Sequence, residues 1–230
     1  MTQDTSNNLQ NFGAVVLATR HDSASSFVYP AAQEVSQLLC QTFTTISLLP
    51  FDGSENLFVE MFASCCGSGE GCKTEFVLGY LSAHGSDRAS LIMDQHVVFD
   101  EATAKLFSKN AILVLTACLL KGGLAEKITN ESVSAVIGYT SKLLVPGDRL
   151  EDDLSGEEFE KFKMRFLNTL VSTVHMLLQS DKNARDAYEA TLKSWHYIRD
   201  TAFNSTLRTI AATNAFRLRL WGKETARLVQ

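Results

Sequence analysis

Two residues able to do covalent chemistry stand where apolar runs end. His84 follows EFVLGYLS (75–82) after a single alanine, and Cys118 follows AILVLTA (111–117) directly. In an open α/β sheet, reactive side chains gather at the carboxyl ends of the strands. If these two strands are neighbours or next-neighbours, their ends lie roughly 5–10 Å apart. An imidazole and a thiol can then meet as general base and nucleophile. The thiolate is the attacking form, and a nearby imidazolium lowers the thiol pKa. Gly85, directly after the histidine, leaves room for a substrate carbonyl to approach its backbone N–H. That donor, with the N–H of Cys118, could hold an oxyanion. The plainer readings are a strand-end cysteine acting as a small buried hydrophobe and a histidine that only caps or faces solvent.

The elements that must position these residues are read from the pattern of apolar residues. FGAVVLAT (12–19), TTISLLPF (44–51), EFVLGYLS (75–82), AILVLTA (111–117) and SVSAVIGY (132–139) read as five strands. Continuous runs of this length suit strands covered on both faces, as in parallel sheets. Pro50 marks the end of the second run. Helices are expected over 31–43, over 55–65 before a Gly/Ser turn, and from the capping Asp100 to about 110. Segments 89–93 and 96–99 read as a small hairpin. Strands alternating with helices predict βαβ units and an α/β fold with helices on both faces of the sheet.

After about 145 the pattern becomes helical. Ser155 and Glu158 resemble a capping box. Phe159, Phe162, Phe166, Leu170, Val174 and Leu177 then form one stripe, Tyr188, Leu192 and Trp195 another, and a last helix is expected over about 206–227. Residues 1–11 read as a disordered leader and 12–230 as a single domain, with its sheet core at about 12–145 and C-terminal helices at about 155–227. No flexible linker separates the two parts.

The composition excludes several classes. The 230-residue chain carries a formal net charge of −5, which argues against a nucleic-acid partner. No apolar run approaches a membrane span, and the first ten residues lack a secretory signal pattern. Three prolines and 20% charged residues fit a globular chain. Five cysteines at irregular spacings suggest free thiols in a reduced, cytoplasmic setting.

The segments EFVLGYLSAHG (75–85), AILVLTAC (111–118), SAVIGYTSKL (134–143) and ARDAYEATLKSW (184–195) together resemble the caspase-like cysteine peptidases, in particular the CHAT branch of the caspase and gingipain fold. The resemblance covers about 12–200 and lies in the order and spacing of short motifs. It implies a three-layer α/β/α sandwich with a mostly parallel sheet and additional C-terminal helices. It implies His84 as general base or acid, Cys118 as nucleophile and Gly85 as oxyanion donor, with no metal or organic cofactor. It also implies a protein substrate, possibly a gasdermin-like pore-forming protein in a bacterial defence or cell-death system, without direct membrane insertion.

The best-known caspase signature places Gln-Ala before the cysteine and a histidine about fifty residues upstream. Here Thr116-Ala117 precedes Cys118, and His84 lies 34 residues upstream. Only about fourteen residues follow Cys118 before the fifth strand, which leaves no space for a cleavable inter-subunit linker and implies a single-chain enzyme. In this fold the loop after the first strand often lines the S1 pocket. Arg20 there would favour an acidic P1 residue and Asp22 a basic one, while both could equally be solvated loop charges.

Other patterns rank lower. Cys65, Cys66 and Cys72 in CCGSGEGC fit zinc-ligand spacing poorly, though a disulfide from Cys72 to one of the pair is an option. GSGEGCKT (67–74) lacks the glycine before Lys73 that a phosphate-binding loop needs, and it precedes a strand rather than a helix. Arg217, Arg219, Lys223 and Arg227 read as a solvated helix face, and His21, His96, His175 and His196 have no partner pattern. A catalytically inactive caspase-like adaptor is the alternative function, and a flavodoxin-like ligand-binding domain a weaker one.

Overall fold

The computed structural model describes residues 12–51, 59–60, 74–85, 90–93, 96–116, 123–146 and 156–228. Along the chain the elements are β1 (Phe12–Ala18), α1 (Ser23–Cys40), β2 (Thr44–Leu48), β3 (Glu75–Ser82), β4 (His84–Gly85), β5 (Leu91–Met93), β6 (His96–Phe99), α2 (Glu101–Ala104), β7 (Ile112–Leu115), α3 (Leu124–Glu131), β8 (Ala135–Tyr139), α4 (Gly156–Leu177), α5 (Ala184–Thr201), α6 (Ser205–Arg217) and β9 (Leu218–Gly222). The five apolar runs become five strands of a six-stranded sheet, in the order β2-β1-β3-β7-β8-β9. The first five run parallel, and β9 pairs antiparallel with β8.

Burial explains why the runs read as they do. β7 and β8 are buried at every position, whereas β2, at the sheet's edge, alternates buried Ile46 and Leu48 with exposed Thr44 and Ser47. One face of the sheet, with Val16, Tyr80, Val114 and Ile137, is covered by α1, α4, α5 and α6. Phe166 of α4 anchors that layer, with its ring edge-on to Phe27 at 5.1 Å and to Trp195 at 4.8 Å. The other face, with Leu17, Leu81, Leu113 and Val136, packs on Ala104, Phe107, Leu124 and Ile128 from α2, α3 and their flanks. This is the expected three-layer α/β/α sandwich with added C-terminal helices. Among the described residues, no helix is long and apolar enough to cross a membrane.

Several boundaries differ from the sequence reading. α1 starts at Ser23 rather than near 31, because Asp22 forms a capping box with Ser25, and Pro30 lies inside the helix. Proline removes one backbone donor there, but the helix still buries Phe27, Val28, Ala31, Ala32 and Val35 around it. Asp100 caps α2 as expected, accepting from the N–H groups of Ala102 and Thr103, but the helix closes at Ala104. The hairpin forms as β5 and β6, and β4, which contains His84, adds a third antiparallel strand.

The largest departure is at the C-terminal end. The helix expected to reach about 227 stops at Arg217, and the chain turns into β9. Leu218 and Leu220 pack on the helix-rich core and Trp221 on the opposite one, the alternation of a strand. Gly222 closes the strand at φ 81, where an added Cβ would run into the Ser134 carbonyl. Arg217 and Arg219 are therefore not a solvated helix face. Arg217 donates to the Lys142 carbonyl, and Arg219 donates to the carbonyls of Phe216 and Leu218. The expected Ser155 cap, the 67–71 turn and all of the expected 55–65 helix except 59–60 lie outside the described residues.

Candidate active site

The parallel strands bring three chain segments to one rim. Beyond the last paired residues, Thr19 N–H donates to the Ser82 carbonyl and Thr116 N–H to the Leu81 carbonyl, both at 3.0 Å. The ends of β1, β3 and β7 are thereby tied side by side. The condition that the third and fourth apolar runs be neighbours is met, with Leu81 opposite Leu115 in the ladder. His84 stands just beyond the end of β3 and His21-Asp22 just beyond the end of β1.

These two segments meet through a short contact. His84 Nε2 lies 2.8 Å from Asp22 Oδ2, with the imidazole 28% and the carboxylate 40% exposed. The carboxylate's other oxygen, Oδ1, accepts the Ser25 N–H at 2.7 Å, so Asp22 caps α1 and faces His84 at once. Ser25 Oγ in turn accepts the backbone N–H groups of His21 and Asp22, each at 3.1 Å, and fixes the turn. Burial pushes the Asp22 carboxyl up, but the Ser25 N–H and hydroxyl and the adjacent His84 outweigh it and hold the group below the usual carboxylate range. An ionised carboxylate can only accept, so the proton in this contact is on Nε2. Neutral His84 then carries its basic lone pair on Nδ1. The His21 ring meets His84 edge-on at 4.9 Å.

Beside His84 is a cavity of about 20 Å³, roughly room for one water. Ala24, Ser25 and Val28 of α1, Ser82 and Ala83 after β3, Thr116 after β7, and Leu143 and Val145 after β8 line it together with His84. Among the described residues, His84 is the one ionisable side chain in this lining. Three hydroxyls at this end of the sheet, Thr19 Oγ1, Tyr80 OH and Thr116 Oγ1, are buried without a hydrogen-bond partner among the described residues. Burial pushes the Tyr80 phenol well above its usual range, and nearby Thr116 tempers that push without completing a hydrogen bond of good geometry.

The sequence-predicted site residues stand as follows. His84 is at the expected strand end and borders the cavity. Gly85 pairs with Leu91 between β4 and β5. Cys118 lies outside the described residues, as do Cys65, Cys66 and Cys72. Thr116 is the last described residue before Cys118, and it shares a cavity with His84. Arg20 and Asp22 do not line that cavity. The Arg20 guanidinium stacks 5.4 Å from the centre of the Tyr29 ring, and Asp22 is held by Ser25 and His84. The pairing of Asp22 with His84 is a contact that the sequence did not reveal. Asp followed three residues later by Ser is an N-cap signal, and it was obscured by placing the helix start after Pro30.

No family model matches the chain, and no curated protein matches it. Among solved structures it is similar to a secreted C11 cysteine protease from Bacteroides thetaiotaomicron, in complex with an irreversible peptide inhibitor, at a TM-score of 0.52 and 9% identity. The match covers 82% of this chain and 59% of that one. The two share a fold. The α/β/α sandwich with its mostly parallel sheet is the common ground, and this chain spans somewhat more than half the length of that protease.

Proposed function

We propose that this protein is a cysteine endopeptidase that uses a His84–Cys118 dyad against a protein substrate. The observation that carries the reading is the placement of His84, oriented by Asp22, on a cavity it shares with Thr116. Cys118 follows Thr116 by two residues in the sequence, a reach of at most about 7 Å. The fold shared with a C11 cysteine protease supports the same chemistry.

In this mechanism Nδ1 of His84 takes the Cys118 thiol proton, and the sulfur attacks the scissile carbonyl. Backbone N–H groups of Gly85 and Cys118 hold the resulting oxyanion. The imidazolium then gives its proton to the leaving amine, and the thioester forms. Water, activated by the same nitrogen, hydrolyses the thioester and restores the thiol. Asp22 acts as a positioning residue that keeps the proton on Nε2.

The finer reading follows the motif resemblance to the CHAT branch. It is a cytoplasmic, single-chain peptidase whose substrate is a gasdermin-like pore-forming protein in a bacterial defence or cell-death system, with no nucleic-acid partner and no membrane insertion of its own. The test is cleavage of peptide libraries and of candidate pore-forming partners by wild type, C118A and H84A, with folding checked by circular dichroism. Wild type is expected to cleave and both variants to be inactive. In parallel, an electrophilic peptide should label Cys118 well before the exposed thiol of Cys40. Cleavage by C118A would overturn the dyad, and labelling of Cys118 no faster than Cys40 would favour the catalytically inactive adaptor.

A further inference from the structure

The geometry points to a zinc-binding site formed by His21, Asp22 and His84, whose occupation switches off the histidine used for peptide cleavage. Its inhibitory part rests on the proposed peptidase mechanism, whereas the binding part does not. One ligand atom from each of the three residues lies within 4.8 Å of the others. The tightest pair, His84 Nε2 and Asp22 Oδ2, is 2.8 Å apart. Tetrahedral zinc with bonds of about 2.0–2.2 Å needs its ligand atoms roughly 3.3–3.5 Å apart. The set therefore brackets the required spacing, and side-chain rotations of about an ångström would complete it.

Two imidazoles and one carboxylate are a donor set suited to zinc rather than to calcium or magnesium, which prefer all-oxygen sites. Three protein ligands leave the fourth position to water, the arrangement of an accessible zinc site. The outer partners that such a site needs are already in place. Asp22 Oδ1 is fixed by the Ser25 N–H, which leaves Oδ2 free to turn to the ion, and Ser25 Oγ pins the backbone of both His21 and Asp22. All three ligands are at least partly exposed, so the ion has an entry path.

The consequence for His84 is a change of tautomer. In the metal-free site Asp22 accepts the Nε2 proton, and Nδ1 holds the lone pair. Zinc takes a lone pair at Nε2, so the ring's single proton must move to Nδ1. No net proton is released from neutral His84, and no bond other than coordination forms. The nitrogen assigned to accept the thiol proton is then an N–H and cannot act as base. Zinc would thus inhibit reversibly, and chelation would restore activity.

The test is zinc titration of the metal-free full-length protein against a chromophoric chelator, with cobalt as a spectroscopic substitute. Wild type is expected to bind one equivalent at this site. H21A and H84A should each weaken binding at least tenfold, and C118A should bind as wild type does. Bound cobalt should show visible bands without a thiolate charge-transfer band. A thiolate band, or binding lost in C118A and kept in H21A, would overturn the site in favour of the cysteines. Should H21A fold poorly, wild type with all thiols alkylated is the second probe. It should retain the equivalent, and loss of binding there would also overturn the proposal. Zinc binding with no peptidase activity under any condition would defeat the proposed function alone. Activity unaffected by saturating zinc would defeat the inhibitory switch alone.

Discussion

Two tyrosines on the same face of the sheet, Tyr80 on β3 and Tyr139 on β8, are both fully enclosed, yet their hydroxyls fare differently. Tyr139 OH accepts the Trp195 Nε1–H at 3.0 Å, joining the sheet to α5. Among the described residues Tyr80 OH has no hydrogen-bond partner; it lies by Thr116, whose hydroxyl is likewise unpaired. Burial pushes both phenols well above their usual range, so both are neutral. Buried polar groups are nearly always paired; among the described residues the exceptions are Thr19 Oγ1, Tyr80 OH and Thr116 Oγ1 towards the strand ends, Ser132 Oγ before β8 and His196 Nδ1 on α5. The Tyr139 hydroxyl, which fastens α5 to the sheet, is saturated, while the Tyr80 and Thr116 hydroxyls under the strand ends keep spare hydrogen-bonding capacity among the described residues.

Substitutions can break or sharpen that contrast. The largest effect is expected for H84A, which should lower kcat/KM for a cleaved peptide by about a thousandfold or more with unchanged thermal stability. D22N should come next. Asparagine still caps α1, but its amide N–H favours a lone pair on Nε2, the wrong tautomer, so kcat should fall roughly a hundredfold. Helical circular dichroism should barely change, and the urea midpoint at neutral pH should fall slightly as the carboxylate's contribution is lost.

On the saturated side, Y139F should leave the Trp195 N–H buried and unpaired, and denaturant unfolding should show a loss of about 1–3 kcal/mol. Y80F removes a hydroxyl that has no partner among the described residues, so its stability should stay within about 0.5 kcal/mol of wild type or rise slightly. If the two tyrosine variants lost equal stability, the distinction between the regions would fail. The smallest effect is one of pH. The Asp22 carboxyl is held low in the folded protein, so its contribution to stability is present above the ordinary aspartate value of about 3.9 and is lost as pH falls through the depressed value. Urea midpoints of wild type and D22N should therefore converge in acid.

Much of the sheet was legible because parallel strands buried on both faces are written as unbroken apolar runs. EFVLGYLS matches β3 residue for residue. His84 was legible for the same reason, since a polar residue directly after such a run falls at the sheet's rim. Asp22 was not, because its partner lies 62 positions away and no local pattern links them. β9 was missed for a different reason. LRLWG alternates polar and apolar residues over only five positions, too few to separate a strand from the end of an amphipathic helix, and its pairing with β8 joins segments about eighty residues apart. Asn214 helps to fix that ending. Its side chain holds both the N–H and the carbonyl of Leu144, at 2.8 and 2.9 Å, which ties α6 to the loop after β8.

The late arrival of β9 bears on how the protein comes into being. Until Leu218–Gly222 has emerged from the ribosome, β8 offers an open row of backbone donors and acceptors, the kind of edge along which unfinished chains join one another. The loop after β8 contributes Leu143 and Val145 to the cavity beside His84, and its neighbour Thr140 donates its N–H to the Arg217 carbonyl, immediately before β9. Completion of this cavity is thereby coupled to the synthesis of β9, and a nascent chain would have most of its sheet before the cavity beside His84 was closed.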